Sequence, residues 1–545
     1  MTMHVQAKLL ICLSCVVSFL SAYKIAVFAP DMSGSQLIWN KRVSEELAAA
    51  GHDVTMIRMR SYKYKNVEVK INPAVKQWFW DAYVDVDYEE MQRNQSKVAF
   101  QDLPMWDSEM LQLTNKFLSV LIEGCENTLK NTEMLKQLVD AKFDLAFSHM
   151  YEYCSIGLIH YAQIPTWVWL SSGTLIDIQA HDLGLSSPPS YVPPMMADSS
   201  DKMTFKQRVK SVMGNTLGPL LYPRMIINPE NELFRKYIDP NFPDLRGISS
   251  KCPLVMVNSN ELYDLPRPTL HKIIYVGGLG MTLESAKNLT GEFSEIVDQA
   301  KGVILFTFGS VANASGMPWE WKVAFMSAFK KFPEYQFVMR YSTHDLDEIK
   351  PKNVHFHKWI PQADLMQHPK TKALITHGGY NSLQEAIHAA KPIITIPLFG
   401  DQPRNGRIAE KHGFGYYLHK GNISEESVID ALNAVIGDPR YTSSVQTISR
   451  MVSKKPIPPE MLFIKWTEFL AEFKQLPNLE PYSVHLSFVQ YHNLDVFALF
   501  AAVIAVAFSV LYFILKLLVC IVKKWPDQID FYRKGDENAY LMKKA

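Results

Sequence analysis

The sequence predicts an α/β fold: two doubly wound Rossmann-like domains, each a parallel sheet wrapped by helices, and one C-terminal transmembrane helix. Three observations predict it. First, AYKIAVF (Ala22–Phe28) reads as a buried strand, Leu37–Ala50 as a helix stopped by Gly51, and Asp53–Ile57 as a second strand. Second, the same β-α-β order returns late in the chain. KALIT (Lys372–Thr376) is strand-like, His377-Gly378-Gly379 makes a turn, and Tyr380–Ala390 has helical spacing. That helix stops at Lys391-Pro392, and IITIPL (Ile393–Leu398) is the next buried strand. Third, Val496–Leu515 carries no charge and is long enough to cross a bilayer as a helix.

Taken from the N-terminus, residues 1–22 read as a signal peptide: Lys8 closes a short n-region, Leu9–Leu20 is the apolar core and Ala22 the cleavage point. Residues 23–285 form the first α/β domain. Within it, Ser171–Pro240 differs in composition, with a proline-rich loop (SSPPSYVPPMM) and then a Met- and aromatic-rich stretch. That composition suits a pocket for apolar molecules, a membrane-surface contact or plain packing. Residues 286–455 form the second α/β domain, reached through the linker Met281–Ala300. Residues 456–495 hold an amphipathic helix (Met461–Phe473) and the approach to the membrane. Residues 496–522 span it, and 523–545 form the tail.

No Lys or Arg lies between Gln475 and Lys516, whereas the tail carries six, so the positive-inside rule puts the tail in the cytosol and the body on the lumenal side. Lys516 can snorkel to the interface. With 48% hydrophobic residues, 12% aromatics and a net charge of +1, the chain is globular and membrane-associated, and a nucleic-acid partner is not expected. Cys125, Cys154 and Cys252 remain in the body, too few for a disulfide framework, and no Cys/His spacing points to zinc. Sequons stand at Asn94, Asn288, Asn313 and Asn422.

Chemistry concentrates between Trp359 and Gln402. A helix opening straight after two glycines aims its free N–H groups into the turn, a site for a diphosphate. His377 adds a donor at the strand end. Asn381 and Glu385 follow at four-residue steps on one helical face, so an amide can sit near phosphate and a carboxylate near a ribose diol. Trp359 offers a flat surface to a base, with the Gln362 amide beside it. Asp401-Gln402, after the second strand, can grip sugar hydroxyls. Singly, each of these residues is more often a turn, a core side chain or a solvated loop. Their order and spacing together point to a nucleoside-diphosphate sugar.

That set, W-x-P-Q…THGG-x-N-S-x-x-E…P-L-x-x-D-Q, resembles the signature of the UDP-glycosyltransferases, the inverting group that includes UDP-glucuronosyltransferases. GHDVTMI, FDLAF, YVGGL, GVILFTFGS and FVQYHNLDV extend the resemblance over most of the chain. It implies a GT-B arrangement, with two domains facing a cleft and the acceptor bound by the first of them. It also implies that Trp359 stacks on uracil and that Gln362 and Glu385 hold the ribose. Ser310, His377, Gly379, Asn381 and Ser382 serve the diphosphate, Asp401 and Gln402 hold the transferred sugar, and Arg340 lies near the uridine. UDP-sugar is then a co-substrate, with no metal and no cofactor; the partners are a small lipophilic acceptor and the membrane, and the sequence leaves room for an oligomer. The tail YLMKKA sits one place off a dilysine pattern, and the endoplasmic reticulum is implied chiefly by the resemblance.

The chain departs from the family at the general base. The family's histidine lies fifteen residues before the GH pair, where this chain has Gln36. The aspartate that orients it falls where this chain has His149, in FDLAFSH. One reading makes His149 the base, oriented by Glu152 or Asp31, with Gln36 orienting the acceptor or the ring. A second needs only an easily ionised acceptor such as a phenol or carboxylic acid. A third leaves a catalytically impaired UDP-sugar-binding protein. A structural histidine at a strand end is also compatible with His149, and His52, His160 and His412 read as structural. The resemblance places Val257 where users of glucuronate tend to carry Arg, which favours a neutral sugar such as glucose.

Overall fold

The computed structural model describes residues 22–63, 69–104, 106–281, 289–309 and 312–542, with side chains as far as Lys523. Residues 22–481 belong to one compact unit, and the segment from Tyr482 onward to a second. The predicted signal peptide lies almost wholly outside the described residues, as do Ser310 and Asn288.

The first unit contains two sheets whose paired strands all run parallel. One has seven strands in the order β3-β2-β1-β4-β5-β6-β7. These are β1 Lys24–Pro30, β2 Asp53–Arg60, β3 Lys76–Asp81, β4 Leu145–His149, β5 Trp167–Ser171, β6 Leu254–Val257 and β7 Ile273–Tyr275. The other has six in the order β10-β9-β8-β11-β12-β13. They are β8 Gly302–Thr307, β9 Tyr335–Arg340, β10 Val354–His357, β11 Thr371–Thr376, β12 Ile393–Thr395 and β13 Gly415–Tyr417. The central strands are buried along their whole length, as in β4 (LAFSH) and β8 (GVILFT), because helices cover both faces of such sheets. Strand order reverses between β1 and β4 in the first sheet and between β8 and β11 in the second. Ligands bind α/β sheets beyond the carboxyl ends of strands at such switch points.

Local chemistry moved several element ends. The first strand runs to Pro30, and its helix starts at Gly34 instead of Leu37, because Ser33 caps it by accepting the N–H of Gln36. Gln36 therefore lies in the first turn of a helix, Gly34–Ala49. The strand expected over Ile393–Leu398 ends at Thr395. Pro397 has no N–H for a ladder, and the N–H groups of Leu398 and Phe399 go to Gln402 Oε1 at 2.8 and 3.1 Å. The helix over Tyr380–His388 closes with Ala390 at φ 53°, just before Lys391-Pro392. The linker Met281–Ala300 contains a helix, Glu292–Gln299, and its residues 282–288 lie outside the described ones.

Cys125 and Cys154 are bonded to each other, which corrects the expectation drawn from three cysteines: one pair was enough for a bridge. The amphipathic helix is Pro459–Phe473, and its Phe463, Leu470 and Ala471 join the core under the first sheet, Phe463 meeting Phe147 at 5.8 Å between rings. After the proline-rich loop, the helix Phe205–Tyr222 leaves Phe205, Met213 and Leu220 exposed. In the second unit, Leu494–Met542 is a continuous helix. Its Leu494–Lys523 part, whose most apolar 18-residue window has a mean hydropathy of 2.7, is long and apolar enough to cross a membrane. Asn94, Asn313 and Asn422 are exposed.

Candidate active site

The donor-side residues sit at the carboxyl ends of the second sheet. β11 ends at Thr376, and His377, Gly378 and Gly379 turn the chain into the helix Tyr380–His388. Gly378 has φ 81°, a left-handed conformation that glycine adopts without penalty. Gly379 caps the helix without a side-chain hydrogen bond, so the N–H groups of the first turn stay open to an anion. The His377 ring fills the space that side chains on Gly309 or Gly379 would need: a Cβ at either would lie 2.6 Å from it. Its Nδ1 is 3.2 Å from Thr376 Oγ1, and burial lowers its pKa to about 4, so the ring is neutral.

On the same helix, Glu385 Oε2 accepts from Gln362 Nε2 at 2.7 Å, and that nitrogen is 3.4 Å from Ser382 Oγ. Gln362 opens the short helix Gln362–Gln367 after β10. Three predicted residues from two elements thus meet at the Gln362 amide. Burial raises the Glu385 pKa, opposed by the charge of Arg42 and the Gln362 bond. Asn381 is half-buried in the first turn. Trp359 is 70% exposed, so its indole face is open. The Arg340 guanidinium, at the end of β9, lies 5.3 Å from the Trp359 ring and bonds the carbonyls of Gly309 and Lys358. Asp401 and Gln402 start the helix after β12. Asp401 Oδ2 accepts from Asn405 Nδ2 at 2.8 Å and burial raises its pKa, while Gln402 holds the preceding loop.

On the other side, His149 ends β4 next to β1, whose following helix carries Gln36. His149 is fully buried, neither ring nitrogen has a hydrogen-bond partner, and burial lowers its pKa to about 3. Neither suggested carboxylate orients it: Glu152 accepts from the Ser155 hydroxyl at 2.7 Å and its N–H at 3.0 Å, and Asp31 accepts from Arg58 at 2.6 Å. Gln36 Oε1 is likewise buried and unpartnered.

Three features escaped sequence reasoning. The Tyr151 ring lies 4.9 Å from the His149 ring. Burial raises the pKa of its hydroxyl to about 12, with the Asp401 charge adding to the rise and the Gln36 and Ser172 side chains opposing it, so the phenol stands between the two sides. A strand-end rule would have found it, two residues past β4. Arg42, on the helix that carries Gln36, reaches the field of Glu385 across the interface. The third is a buried polar cluster joining the sheets. Asp264 accepts from Arg404, Thr174 and Ser259, each at 2.7 Å, and Ser259 bonds Tyr380. Gln384 adds bonds to Asn258 and Tyr263, and His412 lies 2.9 Å from the Tyr263 carbonyl, a structural role. No motif marks these contacts, because their partners are far apart in sequence.

Comparison with known proteins agrees with this geometry. The family model described as UDP-glucoronosyl and UDP-glucosyl transferase matches residues 24–526. UDP-glucuronosyltransferase 2B33 of Macaca mulatta is 30% identical, with 97% of both chains covered. Among solved structures, the glycotransferase of kitacinnamycin covers 84% of this chain and all of its own length, with a TM-score of 0.55 at 16% identity. A UDP-glucosyltransferase from Polygonum tinctorium covers 83% of this chain with a TM-score of 0.56 at 15% identity. The last two speak for the GT-B fold alone. The chain belongs to the UDP-glucuronosyl and UDP-glucosyl transferase family and is a UDP-glycosyltransferase.

Proposed function

We propose that this chain moves a hexosyl or glucuronosyl group from a UDP-sugar to a small lipophilic acceptor with inversion at the anomeric carbon. The observation that carries the reading is the Gln362–Ser382–Glu385 cluster beside the open face of Trp359, at a helix start with unpaired N–H groups. Uracil stacks on Trp359 near Arg340. Ribose hydroxyls donate to Glu385. The diphosphate takes the N–H groups of Gly379, Asn381 and Ser382, with His377 beside it; the family resemblance gives the same role to Ser310, which lies outside the described residues. These donors stabilise the leaving group electrostatically without a metal. Asp401 and Gln402 hold the sugar. Val257, apolar and buried, favours a neutral hexose over glucuronate. The apolar helix supports a single-pass type I topology with a lumenal body, in the endoplasmic reticulum.

His149 is the base in this reading. Its ring is neutral at working pH and neither nitrogen is engaged, so a lone pair is free to take the acceptor proton. Gln36 and Tyr151 orient the acceptor. The same burial supports a second reading, a sugar-nucleotide binder without turnover. Holding a pKa of about 3 instead of about 6.5 disfavours the imidazolium by roughly 5 kcal/mol, which acceptor binding must offset. UDP release in the presence of a phenolic or steroid-like acceptor separates the two. His149→Ala should abolish release and leave UDP binding intact; full turnover in that variant would end the base assignment.

A further inference from the structure

The helix Phe205–Tyr222 is amphipathic the wrong way round for a water-exposed surface. Against the body it sets small and polar residues. Ser211, 1% exposed, donates to the Val192 carbonyl at 3.4 Å, and Asn215 Nδ2 donates to the same oxygen at 3.2 Å. Gly214 brings the backbone down onto the proline-rich loop: a Cβ there would lie 2.7 Å from Pro194 Cγ. The apolar residues point the other way. Phe205, Val209, Val212, Met213, Leu217 and Leu220 are all exposed, Phe205 by 75%. They recur at three- and four-residue steps, so they share one face of the helix. Single apolar side chains at a surface are ordinary, but a continuous stripe calls for an apolar partner.

Charge says which partner. Lys206 and Lys210 flank the stripe on one side and Arg208 on the other, all three exposed, and Arg224 follows in the next turn. No acidic residue lies between Asp201 and Glu230. Two copies of this face would set cation against cation, which disfavours self-association. Lipid satisfies both halves of the pattern. Acyl chains take the stripe, and headgroup phosphates take the cations, whose stems reach past the apolar residues. In the topology given above, the segment Leu494–Lys523 keeps the body beside a bilayer.

We propose that the helix Phe205–Tyr222 docks in the plane of a bilayer surface carrying anionic headgroups, a second membrane contact besides the spanning helix. The proposal rests on the membrane-anchored reading above. The helix also ends at the acceptor side, where the Tyr222 hydroxyl donates to the Tyr151 carbonyl at 2.9 Å and its ring packs against Met150, Ile176 and Ile178. Docking therefore brings the neighbourhood of His149 towards the lipid in which a lipophilic acceptor dissolves.

The test uses the full chain reconstituted in vesicles of equimolar phosphatidylcholine and phosphatidylserine. Val212→Cys, in a Cys520→Ser background, carries an environment-sensitive fluorophore on the outer face; Cys252, the other free cysteine among the described residues, is buried. Nitroxide-labelled lipid should quench this probe, and iodide, present on both sides of the bilayer, should not. Met213→Gln combined with Leu220→Gln should cut the nitroxide quenching several-fold without moving Tm, since both side chains are already exposed. A probe open to iodide overturns the proposal. So does a probe that neither quencher reaches, because protein would then cover the face, and so does unchanged quenching in the double variant. Failure of the chain to float with vesicles after carbonate washing removes the spanning-helix reading as well, whereas a chain that floats with an iodide-open probe defeats the docking helix alone.

Discussion

The Asp264–Arg404 pair should be the most sensitive point between the two sheets. Both side chains are 4% exposed and 2.7 Å apart. Breaking a buried pair by removing one partner costs about 3–5 kcal/mol, because the other charge stays buried. Arg404→Met should fall at the low end, since Asp264 keeps the Ser259 and Thr174 hydroxyls and the Leu265 N–H. Asp264→Ala should fall at the high end, since Arg404 Nη1 already lacks a partner and Nη2 would lose the one carboxylate it pairs with among the described residues. At the lower coefficient for large domains, about 2 °C per kcal/mol, Tm drops by roughly 6–10 °C. The pH dependence separates this from a simple packing loss. Burial pushes the Asp264 pKa up, but Arg404 and the two hydroxyls outweigh it and hold the pKa below its ordinary value. In wild type, therefore, Asp264 stabilises the fold above the unfolded carboxylate value of about 3.9, and that contribution is lost as pH falls through the lower folded value. Without Arg404, burial prevails and the folded pKa lies above the unfolded one, so protonation at acid pH relieves the penalty. Thermal unfolding of both proteins at pH 7 and pH 4.5 should show the Arg404→Met deficit shrinking at the lower pH. A deficit under about 1 kcal/mol, or one equal at both pH values, refutes the argument.

Other consequences are simpler to read. Trp359→Ala should raise the Kd for UDP roughly 5- to 150-fold, from about 1–3 kcal/mol of base stacking, without moving Tm, because the indole is already exposed; unchanged affinity removes the stacking role. Gly379→Ala introduces no backbone strain but drives a methyl into the His377 ring, so kcat should fall about tenfold or more with the acceptor KM unchanged. A variant with normal kcat would show that His377 is not needed where it stands. Cys125→Ala should lower stability by about 3–4 kcal/mol, the loop-closure value for a 29-residue separation, and added reductant should then have no further effect on the urea midpoint.

What could be read from the sequence divides by range. Strands such as Gly302–Thr307 and the turn before Tyr380 announce themselves locally, through unbroken apolar runs and glycine pairs, and the Gln362–Glu385 bond lies within one α-β-α segment. The acceptor side does not work that way. Gln36 and His149 come together because β1 and β4 are neighbours across the first sheet's switch point, which topology supplies. Their surroundings come from still other segments: Tyr151 against the ring, Trp169 donating to the His149 carbonyl at 3.2 Å, and Ser172 beside the phenol. A residue count could say that a histidine stands where the family has an aspartate. It could not say that the ring would be enclosed and unpaired. That enclosure now frames the catalytic question. A base with an open, solvated imidazole would give a rate falling through pH 6.5 on the acid side. A base held near pKa 3 leaves kcat/KM level to well below pH 6, because the free enzyme's ring is already unprotonated there. An acid limb centred near pH 6.5 that disappears in His149→Ala would mean that the ring is hydrated in solution, and the burial argument would then fail at its source.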